Sequence, residues 1–293
     1  MTSTTFAPSP FTFKPDEKVD HGFLRVLGQM ANRTRSLTRH SHGILSEAVH
    51  EIRILIKQLR ALLWFASPIF SPMEVNRGKA HLRKASQLLA AQRDQSVMRS
   101  VLEELSHQTS NSTYRKTLFR IAHAQDSRQD ITVKSGQSLQ QAAAILLMTI
   151  QQLKEQAKSH SRWPSVADRL DRAFLATKKA GGKALHAKDP ARFHDWRKKA
   201  KRLFYQLQLT QAVPGKRMRH TISRVDKLQE MLGDYHDSVI VEDRLRKHLA
   251  DKITPLLLRK TVNLLKKRKN RLRKKVRKIA KCIKLYRRHQ DAF

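Results

Sequence analysis

A single cysteine, Cys282, stands in 293 residues. An intrachain disulfide is therefore excluded, pairing between chains is not, and a reducing compartment suits the composition. Nine glycines and nine prolines leave little material for hairpin turns, and no segment shows the apolar–polar alternation of a half-buried strand. Aromatic residues make up 6 % of the chain. Trp64, Trp163 and Trp196 lie near apolar stripes or a loop, so no base-stacking platform is evident. No apolar run reaches the roughly 20 residues of a membrane helix. The opening MTSTTFAPSPFTFKPDEK lacks the charged-then-apolar order of a secretory signal. Phosphate-loop, HExxH and GxSxG patterns are missing as well. Acidic residues are scarce: 24 Asp and Glu stand against 60 Lys and Arg, a formal charge of +36 with 14 His counted neutral.

What remains is enough for a folded protein. Hydrophobic residues make up 40 %, which argues against wholesale disorder. Helical periodicity predicts an all-α chain with segments near 19–39, 43–66, 73–91, 94–106, 114–126, 135–158, 165–180, 190–211, 216–232, 235–249 and 255–287. Ser67-Pro68, Ser71-Pro72, SHQTSNST, Gly181-Gly182, Asp189-Pro190 and Pro214-Gly215 supply the punctuation. Asp189 is placed to cap the helix that follows, with Pro190 in its first turn. Asp94 and Asp237 stand at predicted helix starts. A mobile leader is expected to about Asp16, the folded part beginning at 19. The expected address is the cytoplasm, with no membrane partner.

The positive charge recurs in register. His50, Arg53 and Lys57 reappear as His194, Arg197 and Lys201, each 144 positions later, and HEIRILIKQLRA aligns on HDWRKKAKRLFY without gaps. LAAQRD, ending at Asp94, is matched by LGDYHD, ending at Asp237. Such spacing is the signature of an internal duplication. At 3.6 residues per turn, His50, Arg53, Lys57 and Arg60 share a stripe, while Ile52, Leu55, Ile56, Leu59 and Leu63 occupy the other side. In the second copy His194, Arg197, Lys198 and Lys201 share a face, and Trp196, Ala200, Leu203 and Leu207 turn inward. Lys, Arg and protonated His are all donors, so each ridge repels itself unless an anion lies along it.

These two HxxRxxxK segments, with the Asp-terminated helices that follow them, resemble the conserved histidine α-helical domain family, CHAD, over roughly residues 20–290. The resemblance implies two related four-helix-bundle-like halves packed around a basic central groove or pore, the first about 19–158 and the second about 165–290. It also implies binding of inorganic polyphosphate and, for some members, gathering on polyphosphate granules. Carried over by position, the implied polyphosphate-binding residues are His50, Arg53, Lys57, Arg60, Lys84, His194, Arg197, Lys198, Lys201, Arg202 and Lys227. Gln58 and Phe204 depart from the pattern where further arginines are common, and Ala90 replaces the glycine seen as Gly233.

The residues fit that ligand chemically. Polyphosphate offers charge and oxygen acceptors without bases; Arg grips two oxygens at once and Lys acts as a point charge. Neighbouring cations favour neutral His50 and His194 while bound phosphate favours their protonation, so tighter binding is expected at mildly acidic pH. Metal ligation and phosphohistidine chemistry are disfavoured, because the neighbours are cations rather than ligands or an acid–base partner; no metal and no cofactor are expected. A purely structural role for the histidines, hydrogen-bonded to Asp94 and Asp237, is the plain alternative, and the two aspartates read as caps or orienters. Residues 255–287 combine an apolar stripe, Leu258 to Tyr286, with an almost wholly basic remainder, and are expected to dock as a helix. The expected function is non-catalytic polyphosphate binding. Non-specific nucleic-acid binding, with 259–288 as footprint, is the alternative, and a polyphosphate-processing enzyme ranks last. Oligomeric state and chain-length preference are not legible.

Overall fold

The computed structural model describes residues 11–14, 17–39, 45–123, 128–158, 162–187, 189–210, 216–248 and 254–283. Among them are ten helices and no strand: α1 (Val19–Arg39), α2 (Leu45–Ala66), α3 (Pro72–Leu88), α4 (Ala90–His107), α5 (Ser112–His123), α6 (Arg128–Ala157), α7 (Val166–Ala187), α8 (Pro190–Leu209), α9 (Lys216–His248) and α10 (Pro255–Cys282). Three of them start on a cap followed by proline, which fixes the first-turn φ and leaves no orphan N–H there. Ser71 and Glu74 form a reciprocal capping box at α3. Asp189 accepts from Ala191 N at 2.9 Å at α8, and Thr254 accepts from Leu257 N at 3.3 Å at α10.

Apolar faces sort the helices into two groups. In the first, α1 and α3 each pack against both α2 and α6, over a core that includes Phe23, Ile52, Leu59, Leu62, Leu82 and Leu146. In the second, α7 and α9 each pack against both α8 and α10, which puts α8 and α10 at diagonal corners around Phe193, Trp196, Leu228 and Val276. Among the described residues the groups meet mainly at two junctions. One junction is α2 on α8. The other is the α4–α5 hairpin, whose Met98, Leu102, Leu105 and Leu118 pack on Val241 and Leu245 of α9 and Leu265 of α10.

That second junction carries a buried cation. Arg268 of α10 holds Glu104 of α4 at 2.6 Å and donates to Asp234 O at 2.8 Å and Ser238 Oγ at 2.5 Å on α9. One guanidinium thus ties three helices, and its donors find acceptors where no water is needed.

Three expectations are corrected. The leader does not stay loose to Asp16: Phe11 and Phe13 are buried, Phe13 N donates to Leu209 O of α8 at 2.7 Å, and its ring lies 5.4 Å from that of Phe65 of α2. Arg25 then clamps the segment through Glu17 at 2.6 Å and Thr12 O at 2.7 Å. Gly181-Gly182 is not a turn but the interior of α7; glycine stands at 181 because a Cβ there would meet the Trp196 indole at 2.8 Å. The predicted segments 216–232 and 235–249 are one helix, α9, continuous through Leu232, whereas the aligned Leu89 does separate α3 from α4. Asp237 therefore sits inside a helix rather than at its start. Asp94 lies within α4, with its side chain outside the described residues. Pro214-Gly215 and everything beyond Ile283, Tyr286 included, also fall outside them.

Candidate functional site

α2 and α8 carry the two aligned segments, and they pack against one another. Each buries its apolar face in its own group, yet each also covers residues on its other side. Gln58, Ala61 and Phe65 of α2 and Gln206 and Leu209 of α8 are buried, in the C-terminal halves of the two helices. The N-terminal halves stay open, with His50 and Lys198 exposed and His194 half-buried. The Gln58 and Phe204 departures fall at buried positions, where a longer cation would have had to displace packed side chains.

The cationic residues do not all stand clear as a ridge. Arg53 reaches across to α3 and donates to Leu89 O at 2.6 Å. Arg60 does likewise, one Nη donating to Leu82 O at 3.0 Å and Ser86 Oγ at 3.2 Å. On α8 Arg197 is only 9 % exposed, with its Nε 3.9 Å from where a Cβ on Gly233 of α9 would stand. His194 packs its ring 4.5 Å from that of His236 of α9. Lys57, Lys201 and Arg202 are half-buried, and Lys84 and Lys227 are exposed on α3 and α9. The stripe thus runs along the flank that each helix turns to its neighbour, α3 or α9. Backbone carbonyls hold two of its guanidinium groups, those of Arg53 and Arg60, in place.

Where α2 and α8 meet, arginines crowd. Although Arg60 is exposed as a residue, its guanidinium is packed on α3; that burial, with Arg83 nearby, lowers its pKa. Burial lowers that of Arg202 too, the Asp195 charge opposing and the Arg60 charge adding to the shift. A third member, Arg169 of α7, was not legible as a site residue. It is 5 % exposed, lies 3.9 Å over the Trp64 ring, donates to Trp64 O, and is brought down to about 10 by burial and by the charges of Arg172 and Arg202. Arg202 lies 4.9 Å over the same ring. Two cations from the second group therefore share one indole of the first. The only available signal was Arg169 falling in step with Ala173, Thr177 and Ala180 on a buried face. His236, the other residue missed, stands in LGDYHD where LAAQRD has Arg93.

Chemically, these clustered donors can hold an anion. Among the described residues no three His, Cys, Asp or Glu side chains are grouped to hold a metal ion, and no helix is long and apolar enough to cross a membrane. The CHAD domain model matches residues 28–246. The chain belongs to the CHAD family. Among solved structures, the CHAD domain from the plant Ricinus communis superposes with a TM-score of 0.64 at 17 % identity, over 97 % of this chain and 98 % of that one, a likeness of fold. Comparison with curated proteins finds no match. In this CHAD protein the matched segment runs from within α1 to the last turn of α9 and stops short of α10.

Proposed function

We propose that the protein binds inorganic polyphosphate, without chemical turnover, along the cationic flanks of α2 and α8, and that these flanks form one trough. The observation that carries this reading is the crowding of Arg60 and Arg202 at the α2–α8 junction. Burial lowers both their pKa values, with the charge of Arg83 adding to the shift of Arg60 and that of Arg60 adding to the shift of Arg202, which is the electrostatic signature of a site that an anion relieves. Family membership supports the ligand class. The bracing of Arg60 on an α3 carbonyl and of Arg53 on the Leu89 carbonyl just past α3 supports preorganisation, since donors already held in place lose less freedom on binding.

His50, Arg53, Lys57 and Arg60 form one wall; His194, Arg197, Lys198, Lys201 and Arg202 form the other, with Lys84 and Lys227 extending the track. Association with polyphosphate granules would follow from the same contacts. The test is calorimetric titration with long-chain polyphosphate, comparing native protein with Lys57→Gln/Lys198→Gln/Lys201→Gln and with Arg53→Ala/Arg197→Ala. Charge-assisted hydrogen bonds contribute about 1.5–3 kcal/mol each, so either variant should bind at least tenfold more weakly. Unchanged affinity in the lysine variant, whose side chains are not core, would remove the assignment even if the arginine variant misfolds.

A further inference from the structure

α10 presents a second cationic surface, on the other side of the molecule. Its apolar stripe, Val262, Leu265, Leu272 and Val276, is buried. Opposite that stripe, Lys260, Lys267, Lys274 and Lys281 recur every seven residues and are all exposed. Arg271 flanks this row on one side and Arg277 on the other, both exposed. None of the four lysines forms an ion pair among the described residues. Seven residues of helix advance about 10.5 Å, so the row extends over roughly 32 Å.

Position separates this face from the site already described. α8 meets α2 on its outward side, while α7 and α9 lie between α8 and α10. The outer face of α10 therefore points away from the α2–α8 junction, and a polyanion lying in that junction leaves it uncovered. The apolar stripe is spent on the core, which leaves no hydrophobic face to insert among lipids.

We infer that the outer face of α10 binds the phosphate backbones of duplex nucleic acid without sequence preference. The charges stand on a convex ridge, the lysine row flanked by Arg271 and Arg277. A single strand laid along the ridge would follow the lysine row alone, whereas the two backbones bordering a major groove about 12 Å wide lie within reach of the long lysines of that row and of the arginine on either flank of a helix about 10–12 Å across. The absence of any exposed aromatic side chain on this face removes the stacking that single-strand binders use. Lysine-rich contact with phosphates supplies affinity and orientation, not base readout.

The inference stands without the polyphosphate reading; if both hold, the protein joins the two polyanions through opposite faces. The experiment measures full-length protein against a mixed-sequence DNA duplex and, separately, long-chain polyphosphate, across a salt series. Lys260→Gln/Lys267→Gln/Lys274→Gln/Lys281→Gln should bind duplex at least tenfold more weakly at 0.1 M salt. Its slope of log affinity against log salt should be shallower by about 3 to 4, from about 0.9 per lost phosphate contact. Its polyphosphate affinity should stay within twofold of native, and Lys57→Gln/Lys198→Gln/Lys201→Gln should bind duplex normally. Native-like duplex binding by the α10 variant overturns the inference, and so does a parallel loss of both ligands, which would make α10 part of a single polyanion track. A native protein that binds duplex through α10 but ignores polyphosphate would instead sink only the earlier reading.

Discussion

The guanidinium of Arg169 in α7 lies 3.9 Å from the centre of the Trp64 ring in α2. This contact joins the two helix groups beside the crowded arginines. Arg169 also donates to Ser67 Oγ at 3.1 Å, at the end of the same helix. A desolvated cation–π pair contributes about 2 kcal/mol, and removing a buried tryptophan costs about 3–5 kcal/mol. Trp64 is half-buried, so Trp64→Ala should cost about 2–4 kcal/mol by urea unfolding. Trp64→Phe keeps an aromatic face and should cost about half as much. Equal losses in the two variants would mean that the ring does not hold Arg169.

Adjacent glycines should respond in opposite directions. Gly181→Ala drives a Cβ to 2.8 Å from Trp196, and overpacking of that kind costs about 1–3 kcal/mol. Nothing lies within 4 Å of a Cβ at Gly182, so Gly182→Ala should raise stability by about 0.5–1 kcal/mol, the helix-interior difference between the residues. Thermal unfolding of both variants reads the contrast directly. Matching shifts would contradict the packing of Trp196 on α7.

Asp226 sets a pH dependence. Burial holds its carboxyl above the ordinary value, the Gln229 amide opposing at 2.9 Å. Its charge and burial together push Tyr205 of α8 up to about 12, burial being the larger cause. A raised folded pKa means that the native state takes up the proton first as pH falls. The cost of the charged form is therefore present at neutral pH and disappears as pH drops through the raised value toward the ordinary carboxylate range. Asp226→Asn should be more stable than native protein at pH 7, and the advantage should vanish near pH 4. Denaturant midpoints at both pH values test this; an Asn variant less stable at pH 7 contradicts it.

Much of the fold was legible because apolar periodicity is a local property. α1 was delimited at 19–39, Asp189 and Pro190 start α8 as their chemistry requires, and the docked stripe of α10 was visible in Val262, Leu265, Leu272 and Val276. What failed depended on distant partners. Gly181-Gly182 reads as punctuation until Trp196 is known to need the space. Phe11 and Phe13 look like part of a Pro- and Thr-rich leader until Phe65 and Leu209 supply a place to dock. The site divides in the same way. Spacing placed His50, Arg53 and Lys57 on one stripe, but no pattern in the sequence shows that Arg53 and Arg60 brace on α3 or that Arg197 is buried. Arg169 and Arg202 meet at Trp64 only once α7, α8 and α2 are assembled.

The most direct test of the polyphosphate trough is lysine acetylation footprinting by mass spectrometry, with and without saturating long-chain polyphosphate. Protection concentrated at Lys198, with Lys57 and Lys201 following, and little change at Lys260, Lys267, Lys274 and Lys281, is the predicted result. Protection confined to α10, with Lys198 as reactive as in the free protein, would contradict it.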